Sequence, residues 1–151
     1  MVKIMVQIRP MVLEDCQWVY EIDRNCFTDS WSLSMFQDLF RYPTNFYFVA
    51  EEGQRICGFA GIMVSVDTAD IMNIAVQKED RGRGIGRQLL EQLTAQAIQC
   101  GCEQMLLEVR ESNQTARRLY QASGFVEIAI RKNYYTSPTE HGIIMQIQFQ
   151  K

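Results

Sequence analysis

Hydrophobic residues recur along the chain with two periods, and these periods divide it into eleven predicted elements. Alternation, or a short apolar run between turn residues, predicts a strand, whereas recurrence every three or four residues predicts a helix. The predicted strands are 3–9, 45–51, 56–66, 70–76, 104–109, 126–131 and 142–149. The predicted helices are 14–26, one from about 32 that stops before Pro43, 85–100, and one from about 113 that ends before Gly124.

The pattern also predicts the buried faces of two helices, a helix N-cap, a strand irregularity and a polar connection. The first two helices should bury one face each, formed by Trp18, Val19, Ile22 and Cys26, and by Leu33, Phe36, Leu39 and Phe40. Ser32 or Ser34 is the expected N-cap of the second helix. The long third strand is expected to bend or bulge at Gly58 and Gly61. The segment 132–141 is an expected polar connection, and His141 within it is given no role.

The element order, β-α-α-β-β-β-α-β-α-β-β, predicts a mixed sheet. The strands on either side of the central helix should be parallel, because a helical crossover returns the chain to the end from which it started, and the meander before it should be antiparallel. We therefore expect an α/β protein (α+β under some schemes) with a mostly antiparallel seven-stranded sheet and about four helices. A chain of 151 residues without a repeat or linker is expected to be one domain, 1–151.

Composition and charge exclude several classes of function. The formal net charge is −3, whereas a protein that binds nucleic acid through its phosphates should be basic, so no direct nucleic-acid partner is expected. Five cysteines without a C-x-x-C pair suggest neither a disulfide framework nor a metal site. No apolar stretch reaches the length of a membrane span or signal peptide. We expect a cytoplasmic protein that does not bind membranes and is a monomer or weak dimer.

Three alternating glycines stand where the fourth strand meets the third helix, in the segment Arg81-Gly82-Arg83-Gly84-Ile85-Gly86-Arg87. Glycine lets the backbone turn tightly and lets a ligand approach closely. The N–H groups of a helix's first turn lack internal partners, and with the helix dipole they form an anion site. The arginines add charges suited to phosphate. A strand, this loop and a helix together predict a pyrophosphate site.

Alternative interpretations of this loop differ in their residue requirements. A P-loop needs Gly-Lys-Ser/Thr at its end, but Gly86 is followed by Arg87 and Gln88. A dinucleotide site needs G-x-G-x-x-G, and here the spacing is one residue short. A simple strand-to-helix connection is also compatible with the glycines. The remaining match, Arg81-x-x-Gly84-x-Gly86, resembles the acetyl-CoA pyrophosphate loop of the GNAT superfamily of N-acetyltransferases.

Acetyl transfer to an amine needs a proton acceptor, and Glu108 is the candidate. It is the one charged residue in the otherwise apolar strand 104–109. A half-buried carboxylate on such a strand accepts protons better than one in water. A structural ion pair with Arg110 or Arg131 is the alternative.

The reaction also needs a group that stabilises the leaving thiolate, and Tyr120 is the candidate. It lies on the last helix and shares a face with Asn113, Ala116 and Arg117. A phenol has a reference pKa of about 10, against about 8.5 for a thiol, so Tyr120 should act first as a hydrogen-bond donor. The alternative is a core tyrosine beside Leu119.

Longer motifs resemble one branch of the superfamily, the ribosomal-protein N-terminal alanine acetyltransferases. They are Leu107-Glu108-Val109-Arg110-x-Ser112-Asn113 with Ala116, Leu119, Tyr120, Gly124 and Phe125 after it, Asn73-Ile74-Ala75-Val76, Arg131-Lys132-Asn133-Tyr134-Tyr135, and Phe27-x-x-x-Trp31-Ser32. Two positions depart from that branch. Ser30 precedes the tryptophan where the branch usually has proline, and proline comes only at Pro138 rather than directly after the tyrosine pair.

The resemblance implies a role for each matching position. Glu108 would be the general base and Tyr120 the general acid. The cofactor, acetyl-CoA, would be bound by Ile74, Ala75, Val76, Asn113 and the loop Arg81, Gly82, Arg83, Gly84, Ile85, Gly86 and Arg87. The acceptor would lie between Phe27, Trp31, Tyr134 and Tyr135, for which ordinary packing is the alternative role. No metal is implied.

The resemblance further implies that the acceptor is the N-terminal α-amine of a protein, an alanine or serine of a small-subunit ribosomal protein. An α-amine has a reference pKa of about 7.7–8.0 and a lysine about 10.4, so an α-amine needs only a modest base. Two other functions fit the same residues. The acceptor could be a lysine or a small amine, or the chain could bind CoA without turnover.

Overall fold

The computed structural model describes residues 5–149 and contains the predicted seven-stranded mixed sheet. Its strands are β1 (Val6–Pro10), β2 (Asn45–Glu52), β3 (Arg55–Ser65), β4 (Thr68–Val76), β5 (Gln104–Arg110), β6 (Val126–Tyr135) and β7 (Glu140–Gln148). Their spatial order is β1-β2-β3-β4-β5-β7-β6, and β4 with β5 is the one parallel pair among the described strands.

Within residues 5–149, four α-helices cover the sheet: α1 (Cys16–Cys26), α2 (Leu33–Asp38), α3 (Ile85–Gln99) and α4 (Gln114–Ala122). Short 3₁₀ turns at Leu13–Asp15, Leu39–Arg41 and Lys78–Asp80 flank them. The side chain of Ser32 accepts a hydrogen bond from Met35 N (3.3 Å), which confirms it as the N-cap of α2. Helix α3 ends before Gly101, whose φ of +83° favours glycine.

The two parallel strands separate soon after they meet. Thr68–Asp70 pairs with Gln104–Leu106, and beyond that point no described strand pairs with this side of β4. The backbone of 71–75 therefore presents N–H and C=O groups without a strand partner to a gap in the sheet, and Val76 O at its end accepts a hydrogen bond from the Arg81 side chain. This gap is the feature that positions the site.

A β-bulge in β4 lies at the start of the gap. Gly61 faces Asn73 and Ile62 faces Ile71, so Met72 is the extra residue. The phenol of Tyr47 packs over Gly61, where a Cβ would overlap its ring, and donates a hydrogen bond to Asn73 Oδ1. The expected bulge in β3 is confirmed next to Gly58, where Cys57 is the extra residue opposite β2, whereas at Gly61 the extra residue lies on the partner strand β4.

Apolar side chains fill both faces of the sheet. One cluster lies between the sheet and α3 and includes Leu89, Leu93 and Met105. The other lies under α1 and α2 and includes Ile22 and Phe36. The sheet is thus a central layer, and the gap between β4 and β5 lies between the two clusters.

Several details of the sequence analysis need correction. Val19 and Ile22 of the predicted face of α1 are buried, together with Cys16, but Trp18 is 59% exposed; Phe40 is also exposed. Strand β6 extends through Tyr135, so the predicted polar connection is much shorter, and His141 lies in β7, where its Nδ1 accepts a hydrogen bond from Asn133 N (3.0 Å). Residues 3 and 4 of the first predicted strand lie outside the described part of the chain.

Candidate active site

A cavity of about 580 Å³ opens where β4 and β5 separate. Its walls come from the α1–α2 connection, the two strand ends, the start of α4 and the β6–β7 connection. The sequence-predicted residues that line it are Phe27, Trp31, Ile74, Glu108, Asn113, Tyr120 and Tyr135. The structure therefore brings both proton-transfer candidates into one cavity.

Glu108 reaches this cavity from β5. Its Oε1 lies 3.4 Å from Arg131 Nη1, so one of the two arginines considered from the sequence does form the ion pair, while Arg110 pairs with Glu140 instead. Its Oε2 is buried and has no hydrogen-bond partner among the described residues. Buried carboxylate oxygens are normally hydrogen-bonded, so an unpartnered one beside a cavity is available to a ligand or water.

Tyr120 lies on α4 and is 5% exposed. Its ring packs against Phe125 with a centroid distance of 5.8 Å, so the residue is also part of the core. Burial raises the pKa of the phenol, and the nearby Tyr135 adds to this effect. A phenol with a raised pKa stays protonated and can donate a hydrogen bond to a charge that develops in the cavity.

The glycine loop has the geometry of an anion site. Gly82 and Gly84 have φ of +80° and +79°, in the left-handed region, and Gly84 is the N-cap of α3. The first bond of the helix runs from Gln88 N to Gly84 O (3.1 Å). The N–H groups of 85–87 precede this bond and have no acceptor within the helix.

The three arginines of the loop differ in their contacts. Arg83 pairs with Glu52 and with Asp80 (3.1 Å), so its charge is already compensated. Arg81 Nε donates to Val76 O (3.2 Å) across the end of β4. Arg87 is exposed, 3.7 Å from Glu91. Arg81 and Arg87 are thus the more available cations of the loop.

The predicted acceptor residues do not all face the cavity. Phe27, Trp31 and Tyr135 line it, but Tyr134 does not; it packs edge-on against Tyr135 with a centroid distance of 5.0 Å. Burial raises the pKa of Tyr135 to about 12, with Glu108 as a further cause.

Arg110 holds the β6–β7 connection in place. It donates to the carbonyls of Thr136 and Pro138 (3.0 Å each) and stacks on the Tyr135 ring at 4.5 Å. Sequence patterns do not predict this network, because its members are far apart in the chain.

Asn113 has a structural role as well as a place in the cavity. Its Oδ1 accepts a hydrogen bond from Ala116 N (3.2 Å) and caps α4. The amide nitrogen of the same side chain is left to a ligand. Ala75, Val76 and the glycine loop lie beyond the cavity, which ends on β4 at Ile74.

Asp23, Cys26 and Asn73 are among the cavity residues to which the sequence analysis assigned no role in the site. The first two lie in the last turn of α1, and the helical period alone did not show that this turn borders the gap. All five cysteines are free thiols. Within residues 5–149 no group of three or more His, Cys, Asp or Glu side chains is placed to hold a metal ion, and no helix is long and apolar enough to cross a membrane.

The family of the chain follows from its sequence, since the fold and the cavity described above accompany a match to a known family model. Residues 17–125 match the acetyltransferase (GNAT) family, and the chain belongs to this family.

Known proteins with similar sequences and structures agree with this assignment. The ribosomal protein bS18-alanine N-acetyltransferase of Haemophilus influenzae is 37% identical over 136 residues, which cover 87% of this chain and 90% of that protein. The crystal structure of the ribosomal-protein-S18-alanine N-acetyltransferase from Escherichia coli has a TM-score of 0.89 and 32% identity, and covers 97% of this chain and 96% of that one. A Salmonella typhimurium structure with its cofactor acetyl-CoA shares the fold, at a TM-score of 0.84, 21% identity, and 97% and 95% coverage.

Proposed function

We propose that this enzyme transfers an acetyl group from acetyl-CoA to the α-amine of an N-terminal alanine, and that its acceptor is a ribosomal protein of the bS18 kind. The observation that carries the mechanism is the cavity itself. The unpartnered Oε2 of Glu108 and the buried phenol of Tyr120 meet there, next to the unpaired backbone of β4.

The residues present fit a CoA diphosphate and its pantetheine arm. Gly82 and Gly84 have open space where a Cβ would lie, and the N–H groups of 85–87 are free to donate. Arg81 and Arg87 add charge. The backbone of 74–76 has no strand partner on the gap side and can pair with an extended amide-containing chain as an added strand would, with Val76 O shared with the Arg81 side chain. The amide nitrogen of Asn113 can donate a further hydrogen bond. When bound, acetyl-CoA supplies an activated thioester.

Each proton-transfer residue has a distinct task in this proposal. Glu108 takes the proton of the acceptor amine, directly or through water, because its Oε2 has no competing donor. Tyr120 donates a hydrogen bond to the departing sulfur and later its proton, and its raised pKa keeps it protonated until then. Arg131 holds Oε1 of Glu108 and so limits the rotation of the carboxylate.

Two observations support an N-terminal alanine as the acceptor: the names of similar proteins and the residues that line the cavity. Relatives that are 34–37% identical over most of the chain are named for the alanine of bS18. Phe27, Trp31 and Tyr135 form an aromatic slot suited to an extended peptide. An α-amine also has a lower reference pKa than a lysine side chain, so a weaker base is sufficient to deprotonate it.

Acetylation of peptides tests the proposal. Purified enzyme is incubated with acetyl-CoA and three peptides: one that begins with alanine, one that is blocked at its N-terminus but contains lysine, and the alanine peptide with its amine blocked. We expect thiol release with the first peptide alone, and mass spectrometry should place the acetyl group on the α-nitrogen.

Variants test the assigned roles. Glu108→Gln and Tyr120→Phe should each lower kcat by about 10²–10⁴-fold, the usual contribution of a general acid or base. Unchanged rates in both variants would remove these roles. Acetylation of the lysine peptide would show that the acceptor is a lysine rather than an α-amine. CoA binding without any turnover would show that the protein is a CoA-binding module and not an enzyme.

A further inference from the structure

Three carboxylates are buried in the described part of the chain: Asp15, Asp23 and Asp80. Asp15 pairs with Arg9 (2.8 Å), and Asp80 pairs with Arg55 (2.6 Å) and Arg83 (3.1 Å). Asp23 differs from both.

Asp23 is 2% exposed and has no cationic partner among residues 5–149. Trp31 N donates a hydrogen bond to Asp23 Oδ2 (2.8 Å), and this is the one hydrogen bond described for the side chain. Burial raises the pKa of this carboxyl, and Asp29 adds to the effect. A buried charge is costly unless a cation or several donors compensate it, and in the described part of the free enzyme the charged form of Asp23 has one donor and no cation.

The position of Asp23 indicates where that partner comes from. The residue lies in the last turn of α1 and lines the same cavity as Glu108, which reaches it from β5. The hydrogen bond to Trp31 N needs only a neutral acceptor, so it does not explain a carboxylate at this place. An acceptor α-amine arrives mostly as an ammonium ion near pH 7, since its reference pKa is about 7.7–8.0.

We propose that Asp23 binds the α-ammonium group of the acceptor, and that Glu108 then takes its proton. This inference rests on the proposed function and adds a second carboxylate with a separate task. Asp23 attracts the cation and places it, whereas the unpartnered oxygen of Glu108 accepts the proton. Two carboxylates on different elements allow binding and deprotonation to be separate events.

A dead-end complex tests this without turnover. The enzyme is saturated with CoA at pH 6.5, and calorimetry measures its affinity for a hexapeptide that begins with alanine and for the same peptide with a propionyl group in place of the alanyl residue. The two ligands differ only in the ammonium group. Wild type should bind the ammonium peptide at least about tenfold more tightly, as a charge-assisted hydrogen bond predicts.

Variants assign this preference to a residue. Asp23→Asn keeps an acceptor for Trp31 N and removes the charge, so its ratio of affinities should fall to near one while CoA affinity and thermal midpoint are maintained. Glu108→Gln is the matched control and should keep most of the wild-type ratio. A wild-type ratio near one, or a ratio that Asp23→Asn leaves unchanged, overturns the inference.

The same samples separate this inference from the proposed function. If wild type with acetyl-CoA acetylates the alanine peptide while Asp23→Asn keeps the full ratio, the function stands and the role of Asp23 is wrong. If wild type neither binds nor acetylates the alanine peptide, the proposed function is wrong, and the inference is overturned with it.

Discussion

Gly58 lies in β3 beside the last residues of β4, and its replacement by alanine tests how rigidly the gap is built. A Cβ at Gly58 would lie 2.9 Å from the carbonyl oxygen of Ala75 and 3.3 Å from Leu89 Cδ1. Ordinary contacts begin near 3.4 Å, so the Ala75 carbonyl would have to move by about 0.5 Å. That oxygen belongs to the backbone of β4, which pairs with β3 at this point.

We expect Gly58→Ala to destabilise the protein by about 1–3 kcal/mol, the usual cost of overpacking. For a chain of this size the thermal midpoint should fall by roughly 2–12 °C. Because the end of β4 is displaced, the affinity for CoA should fall as well. Differential scanning calorimetry and a CoA titration measure the two effects.

Gly86→Ala is the matched control. Its Cβ would lie 3.3 Å from Leu119 Cδ2, the end of a flexible side chain, and alanine favours a helix over glycine by about 1 kcal/mol. Its free energy of unfolding should therefore stay within about 1 kcal/mol of wild type. A Gly58→Ala midpoint equal to that of wild type would refute the claim that backbone contacts fix this end of the gap.

Three further predictions concern the β6–β7 connection, the glycine loop and the buried carboxylate of Asp80. Arg110→Met should raise the KM for the peptide about tenfold or more and leave the KM for acetyl-CoA unchanged. The reason is that Arg110 holds the β6–β7 connection, and charged hydrogen bonds are worth about 1.5–3 kcal/mol. Equal changes in both constants in steady-state kinetics would contradict this prediction. Gly84→Ala should weaken CoA binding in a titration, because the φ of +79° at Gly84 strains any other residue. An unchanged affinity would contradict the proposed role of the glycine loop in CoA binding. Hydrogen bonds from Arg55 lower the pKa of Asp80, so the stability it contributes is present above its unfolded pKa and is lost as pH falls through the folded value. Acid unfolding of Asp80→Asn should accordingly show a shallower loss of stability below about pH 4 than wild type, and parallel curves would contradict it.

Local signals in the sequence were sufficient for the element order and the glycine loop. Gly101 and Gly124 end the third and fourth helices, Asn113 caps the fourth, and these signals act over a few residues. The prediction that the strands on either side of α3 are parallel within a mostly antiparallel sheet is confirmed for the same reason, because connection lengths determine strand direction.

Features that depend on distant partners could not be predicted. Trp18 fits the apolar stripe of α1 by spacing, but it lies at the edge of the buried face, which includes Val19 and Ile22. The bulge at Met72 depends on the packing of Tyr47 over Gly61, on two other strands. That no cation within residues 5–149 pairs with the buried Asp23 is visible only in the three-dimensional structure.

The most direct test of the account is a crystal structure of the enzyme with CoA and an alanine peptide. The account predicts the diphosphate against the N–H groups of 85–87, and the sulfur between Glu108 and Tyr120, within hydrogen-bond distance of the tyrosine hydroxyl. A CoA molecule bound outside the gap between β4 and β5, or a sulfur from which both side chains point away, would contradict it.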